Sequence, residues 1–547
     1  DLSNHYTRGV SYKEIFPNKE LGTNDNTTLP VLNLAFYPNE RGPYNLDAEN
    51  VNSDGTLGNP EKRWGGVMRK IEPSDLESAN YEYIEFWLLD PYLEDETAEG
   101  GDLYFNLGEI SEDILKDERK FFENGMPVDG DMSKVDTTVW GKVPRTQSTG
   151  YAFDAQNREL QDVGLNGLST EEEQTFPTYA DYLNKLRAKL SGETISKMMD
   201  DPFSPFNDPA GDNYHYFRGD DYDAKELDIL SRYKRYNGTE GNSQESDQRY
   251  ATAGKSTPDV EDINGDNTLN ETEKYFEYKI SLRPKDLQVG VNNIVDERTP
   301  EVTLMNGDKE KVKWYLFKIP IKDYEKRVGA IRDFKTVRFM RMYMTGFRKS
   351  TVLRFGTLEL VRGDWRTYTQ DLSNPLVPPK SDGQIVVSSV NIEENGQRQP
   401  VNYVLPPGIS RMFDSSQPQL LQQNEQALSM KITDLSPADA RAVYKSTAYD
   451  LRRYKRLQMF AHAEAPIDES KTLSNGDFSV FIRLGSDYKN NYYEYEVPLD
   501  LTPHSTILYN TNNSADQEKV WPLNNTLNFK LETLTDLKLE RNKLKRQ

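Results

Sequence analysis

The chain has 547 residues, with 89 acidic against 67 basic side chains for a net charge of −22, and no cysteine. That length accommodates about two to four domains; the charge excludes nucleic acid and anionic membrane surfaces as natural partners and favours divalent cations; the lack of cysteine excludes disulfides, thiolate catalysis and zinc ribbons. Thirty-two tyrosines in so polar a chain point to half-buried strands, so the expected fold is mainly β.

The opening DLSNHYTRG lacks the basic-then-apolar pattern of a signal peptide, and no apolar run of about 18 residues occurs, so no membrane-spanning helix is expected. The first clear strands are Tyr83 to Leu89 (YIEFWLL) and Gly101 to Gly108 (GDLYFNLG). Much further on, Lys455 to Ala463 is followed by Gly476 to Gly485 (GDFSVFIRLG) with the same Leu-Gly ending, and a short turn then leads to Tyr492 to Leu499 (YYEYEVPL). The counterpart of that last strand in the first copy is Tyr275 to Leu282 (YFEYKISL), so residues of about 109–272 read as an insertion within a repeated strand pair. Gly101 to Gly108 should therefore pair with Tyr275 to Leu282.

The insertion is rich in Asp, Asn, Gly and Pro, and its composition predicts a loop-built elaboration with short helices. Its clearest helix runs from Tyr179 to Leu190, with Tyr179, Leu183, Leu186 and Leu190 on one packing face. Asp208 to Asp223 (DPAGDNYHYFRGDDYD) gathers carboxylates without a ligand spacing and reads as a solvated acidic loop in preference to a second ion site. At the insertion's end, Asp262 to Glu273 (DINGDNTLNETE) carries the spacing of an EF-hand-type calcium loop. Asp262, Asn264, Asp266, Asn270 and Glu273 stand at positions 1, 3, 5, 9 and 12, and Thr268 at position 7 needs only its carbonyl. Gly265 and Asn267 supply the turn; Asn267 replaces the usual glycine and tolerates positive φ. The expected cofactor is one structural calcium ion.

Trp314 to Ile319, Thr336 to Thr345 (TVRFMRMYMT) and Thr351 to Val361 read as further strands. Apolar side chains on both faces of the second mark it as a central strand of a sandwich. Residues 374–384 (NPLVPPKSDGQ) form the expected linker, between a first unit at 1–373 and a second at 385–547. Ser436-Pro437-Ala438-Asp439 predicts a helix start. The second copy shows no equivalent of the strands from 336 to 361, so the expectation is a piece of a longer polypeptide. The expected fold class is thus mainly β, with two jelly-roll-like β-sandwich units, the second incomplete. His5, His215, His462 and His504 are too scattered to suggest a metal cluster or a catalytic dyad, and no spacing marks an acid/base pair, so no enzyme is expected.

The strings RWGGVMR (Arg63 to Arg69), YEYIEFWLLDPY (Tyr81 to Tyr92), GDLYFNLGEISEDILKDERKFFENGMP (Gly101 to Pro127), SRYKRYNGTEGNS (Ser231 to Ser243) and EDINGDNTLNETEKYFEYKI (Glu261 to Ile280) resemble the SprA (Sov) family. The resemblance covers nearly the whole chain. It implies the outer-membrane translocon of the type IX secretion system of Bacteroidota, a very large barrel that carries folded cargo to the cell surface and is also required for gliding. Implied partners are the remainder of that barrel, a PorV-like barrel protein, a periplasmic plug protein and secreted cargo. Alternating barrel strands of about ten residues are not repeated along this chain, which reads as an insert facing the surface or, alternatively, the periplasm. The competing expectation is a calcium-stabilised carbohydrate-binding or adhesion module.

Overall fold

The computed structural model describes residues 2–22, 26–146, 152–154, 156–242, 257–372, 378–379, 381–413, 421–466, 473–487 and 490–544. It divides the chain into one unit of residues 1–10 and 30–362 and another of residues 11–29 and 363–547. Of the expected linker, residues 374–377 and 380 lie outside the described residues.

Ten antiparallel strands frame the first unit: β1 (Leu32–Phe36), β2 (Trp64–Lys70), β3 (Tyr81–Leu89), β4 (Asp102–Glu109), β5 (Lys274–Ser281), β6 (Ile294–Arg298), β7 (Trp314–Pro320), β8 (Lys326–Val328), β9 (Phe339–Thr345) and β10 (Thr351–Arg362). They form two five-stranded sheets, β1-β10-β3-β7-β6 and β8-β5-β4-β9-β2. Alternation sends Ile84, Phe86 and Leu88 from one sheet and Leu103, Phe105 and Leu107 from the other into a single core. Phe86 sits at its centre, with ring centroids 4.8 Å from Phe317, 5.3 Å from Phe355 and 5.5 Å from Phe105 of the opposite sheet. β9 is an interior strand, bonded to both β2 and β4, and Met340, Met342 and Met344 fill the core beneath it as its two-faced apolar pattern predicts.

β4 and β5 are ladder neighbours although residues 110–273 lie between them. Gly108 faces Tyr275, Leu107 faces Phe276 and Phe105 faces Tyr278. The intervening segment closes on itself through buried glutamates, because a loop-built region has few sheet or helix partners for its backbone N–H groups. Glu112 accepts from the backbone N–H of Ile263 (2.6 Å), Asn264 (3.1 Å) and Asn270 (3.3 Å). Reciprocally, Glu261 accepts from Ile114 (2.7 Å), Leu115 (3.0 Å) and Phe121 (2.9 Å). Within the insertion, α1 (Thr170–Glu173) begins at a capping box on Ser169 and α2 (Pro177–Lys189) follows with proline in its first turn. Tyr182, Leu183 and Leu186 of α2 bury against Val51, Leu57 and Phe206, so the predicted helix face is a packing face.

The second unit is β-rich, but among the described residues its strands pair only two by two. β11 (Arg366–Tyr368) pairs with β14 (Ala442–Tyr444), β12 (Gln384–Asn391) with β13 (Gln426–Thr433), β15 (Arg456–Met459) with β18 (Leu527–Lys530), and β16 (Ser479–Gly485) with β17 (Tyr492–Pro498). The expected second sandwich is therefore not assembled from these strands. A small core of Ile392, Val401, Tyr403, Val404, Val520 and Trp521 lies instead beside β12, with the Trp521 indole N–H donating to the Val404 carbonyl at 2.9 Å. The predicted helix at 436–439 does not form. Ala438, within the turn that Ser436 would cap, takes a φ of +64°, which breaks a right-handed turn there, and Asp439 pairs with Arg441 at 2.9 Å.

The strand repeat is carried in the pairing itself. Gly485 faces Tyr492, Leu484 faces Tyr493 and Ile482 faces Tyr495, matching Gly108, Leu107 and Phe105 of the first unit position for position. A Cβ added to Gly108 would lie 2.3 Å from the Lys274 carbonyl oxygen, and one added to Gly485 would lie 2.1 Å from that of Asn491. Both ladders close tightly around a glycine.

Candidate metal centre

Asp262 opens the expected calcium loop from a buried position, and its carboxylate organises the turn: Oδ1 accepts from the Asp266 N–H (3.0 Å) and Oδ2 from the Asn267 N–H (2.8 Å). Gly265 and Asn267 both adopt positive φ, +74° and +64°, which gives the reversal that alternate oxygen ligands require. Asn264 Oδ1 also accepts from the Asp266 N–H (2.8 Å), and Asp266 Oδ1 accepts from the N–H and hydroxyl of Thr268 (2.9 and 2.5 Å). Asn270 donates to the Ile110 carbonyl (2.7 Å). Protein cations attend the three acids. Lys120 Nζ lies 2.9 Å from Asp262, Arg338 4.0 Å from Asp266, and Arg341 donates to both oxygens of Glu273 at 3.1 and 3.3 Å. Asp262, Asn264, Asp266 and Thr268 thus share one turn, while Glu273 faces Arg341 on β9.

A second carboxylate cluster lies elsewhere in the insertion. Among the described residues, Glu173, Asp208 and Asp212 are the group of three acidic, histidine or cysteine side chains that offer ligand atoms within 4.8 Å of one another, and all three are buried. This is an arrangement able to hold a metal ion. Two oxygens bound to one calcium at about 2.3–2.6 Å are at most about 5 Å apart, so the spacing fits. Asp208 and Asp212 come from the segment read from sequence as a solvated acidic loop, and the structure corrects that reading: both are 0 % exposed.

Local geometry explains how the chain tolerates them. Glu173, at the end of α1, accepts from Asn166 Nδ2 (2.6 Å) and the Ala210 N–H (2.9 Å). Asp208 accepts from the N–H groups of Gly211 (2.7 Å), Asp212 (3.1 Å) and Asn213 (3.4 Å), and Arg41 fixes the same bend through the carbonyls of Asp208 (2.5 Å) and Pro209 (2.7 Å). Asp212 Oδ2 accepts from the Tyr44 hydroxyl (2.8 Å). Gly164, at φ +85°, allows the chain to pass Asp212, since a Cβ there would lie 2.8 Å from that oxygen. Glu240 borders the group, held by the N–H and hydroxyl of Thr170, both at 2.8 Å. Burial, followed by repulsion from neighbouring carboxylates, pushes the Glu173, Asp212 and Glu240 carboxyls up from their ordinary range.

Sequence spacing missed these residues because Glu173 lies far from Asp208 in the chain. The available signal was the pair Asp208 and Asp212 around Pro-Ala-Gly, a bend that exposes N–H groups to the first carboxylate. The histidines stay apart: His5 meets Glu310 at 2.7 Å, His215 stacks on Tyr222 at 3.9 Å, His462 lies 3.2 Å from Glu464, and His504 lies 2.7 Å from the Ala465 carbonyl.

No helix among the described residues is long and apolar enough to cross a membrane. No curated protein matches the sequence. A family model described as SprA_N, motility related/secretion protein, matches residues 181–547, which is more than half of the chain. That match runs from within α2 through the repeated strands β16 and β17 to the last residue, and with it the chain belongs to the SprA_N family of motility-related and secretion proteins.

Proposed function

We propose that the chain is a non-catalytic structural and gating part of a protein-conducting outer-membrane translocon of the type IX secretion system, working with the rest of its barrel, a PorV-like protein, a plug protein and folded cargo. The observation that carries this reading is membership of a motility and secretion family over residues 181–547. The first unit adds a physical reason: two five-stranded sheets on one aromatic core make a stiff support for a large insertion fastened at both ends. In-frame deletion of residues 30–362 from the full-length protein should stop or uncouple cargo release to the medium. Normal secretion with loss only of glycan adhesion would favour a carbohydrate-binding module instead. That second reading draws on the outward face of the second sheet, where Trp64 is 70 % exposed and Tyr104 stacks on Tyr343 at 4.6 Å. A tag near Asn242, probed in intact cells, reports whether the insertion faces the surface.

Calcium at residues 262–273 belongs to the same reading. Its support is the ligand spacing and the two positive-φ residues; the ion would compete with Lys120 and Arg341 for Asp262 and Glu273. For a site with Kd of about 10 µM, about 1 mM Ca²⁺ stabilises the fold by roughly 2.7 kcal/mol. Calorimetry with and without chelator measures this, and Asp266→Ala should remove most of it. Unchanged melting would leave the loop an ordinary turn held by Glu112.

A further inference from the structure

We propose that Glu173, Asp208 and Asp212, with Glu240 at the rim, form a binding site for one hard divalent cation, separate from the loop at 262–273. Two independent observations carry it. The first is convergence: three buried carboxylates place oxygens within 4.8 Å of one another, and the two nearby guanidinium groups, Arg41 and Arg235, act on Asp208 from outside direct ion-pair contact with its carboxylate. The second is an unanswered acceptor. Asp212 is 0 % exposed, yet its Oδ1 has no hydrogen-bond partner, and Oε2 of the adjacent Glu240 also has none. A buried anionic oxygen without a donor costs several times what a formed hydrogen bond returns, so the position calls for a cation or a proton.

The donor set decides between classes of ion. Every candidate ligand is oxygen, from carboxylates, which selects calcium, magnesium or manganese over zinc or copper. The second shell is present: Tyr44 orients Asp212, Asn166 and the Ala210 N–H orient Glu173, and three backbone N–H groups orient Asp208. Solvent reaches the Glu240 end of the group. Glu240, Asn213 and Thr170 line an open cavity of about 410 Å³ beside the group. Bound there, the cation cross-links α1, the 208–213 bend, the segment at 240 and, through Tyr44, the chain ahead of β2.

The test uses the whole 547-residue chain, stripped with chelator and titrated with Mn²⁺, Ca²⁺ and Mg²⁺ in turn, with bound metal counted by elemental analysis after gel filtration. Asp212→Asn should lose one equivalent of metal relative to the parent chain, whereas Asp266→Ala should retain that equivalent. Crystals soaked in Mn²⁺ should show an anomalous peak within bonding distance of Glu173, Asp208 and Asp212. Should Asp212→Asn fail to fold, Glu240→Gln, at the solvent-facing rim, should weaken Mn²⁺ binding at least tenfold with the far-ultraviolet dichroism spectrum unchanged. Full metal content in a folded Asp212→Asn chain, or no anomalous peak at the cluster in the parent chain, overturns the proposal and leaves the carboxylates sharing protons.

Discussion

In the first unit Gly108 faces Tyr275 and Leu103 faces Ile280 in a ladder flanked by β9 on one side and β8 on the other; in the second, Gly485 faces Tyr492 and Val480 faces Val497, and β16 and β17 have no third strand hydrogen-bonded to them among the described residues. The first ladder buries Leu103, Phe105 and Leu107 completely, while no residue of β16 is fully buried. Register is thus set within the pair, by the glycine that admits close approach and by the alternation of side chains, whereas burial comes from the strands alongside. The same local code serves as a core in one place and as a half-exposed ribbon in the other.

The sharpest way to break this comparison is to remove one aromatic ring from each copy. Phe86→Ala should cost about 3–5 kcal/mol in urea denaturation, because it empties the centre of the shared core. Phe529→Ala, on half-buried β18 where the ring meets Tyr495 at 4.7 Å, should cost about 1 kcal/mol, the scale of one aromatic pair. Equal losses would mean that the second copy is as well packed as the first.

Acid and base should then separate the units in opposite directions. In the second, Glu464 is held down to about 2 against the cost of burial by His462 and Arg398. Its contribution, at most about 3 kcal/mol, is complete above the unfolded carboxyl value of about 4.5 and is lost as pH falls from there towards 2. In the first unit, burial and then Asp162 push Glu123 well above its ordinary value, so its contribution is complete below about pH 4.5 and fades as pH rises past that point. Denaturation followed against pH should show Glu464→Gln flattening the loss of stability on the acid side and Glu123→Gln flattening the decline above about pH 4.5.

The smallest effect concerns the paired glycines. Gly108→Ala must displace a strand held between two neighbours and should cost about 1–2 kcal/mol, whereas Gly485→Ala can move β16 away from its single partner for less than about 1 kcal/mol. Thermal melts of the two variants would settle the order, and a larger loss at Gly485 would count against an open edge there.

Patterns that repeat within a few residues were legible beforehand. The strand pair, the interior strand β9 and the face of α2 all follow from periods of 2 or 3.6, which the sequence displays directly. The positive φ expected of Asn267 is likewise a local property. What stayed hidden depends on chain segments meeting in space. Glu112, Glu261, Glu173, Asp208 and Asp212 look like surface charge in a polar insertion, yet the first four accept backbone or amide hydrogen bonds that a region poor in sheet and helix needs, and Asp212 accepts from the Tyr44 hydroxyl. The helix start at 436–439 failed for the converse reason: a sound local signal, with Ser436 as cap, was overruled where Ala438 turns to positive φ and Asp439 pairs with Arg441.

The distance along the chain between β4 and β5 bears on how quickly the two copies fold. Residues 110–273 must be looped out before the first ladder zips, whereas residues 486–491 suffice for the second. Closing the longer loop as free chain costs about 3 kcal/mol more in entropy. The β16–β17 hairpin should consequently form on its own in microseconds, while the first ladder waits for the insertion to shorten its own path by bringing Glu112 and Glu261 together. On that account the reciprocal glutamates act as a kinetic clasp, and a chain lacking them would mature slowly even where its final state is sound.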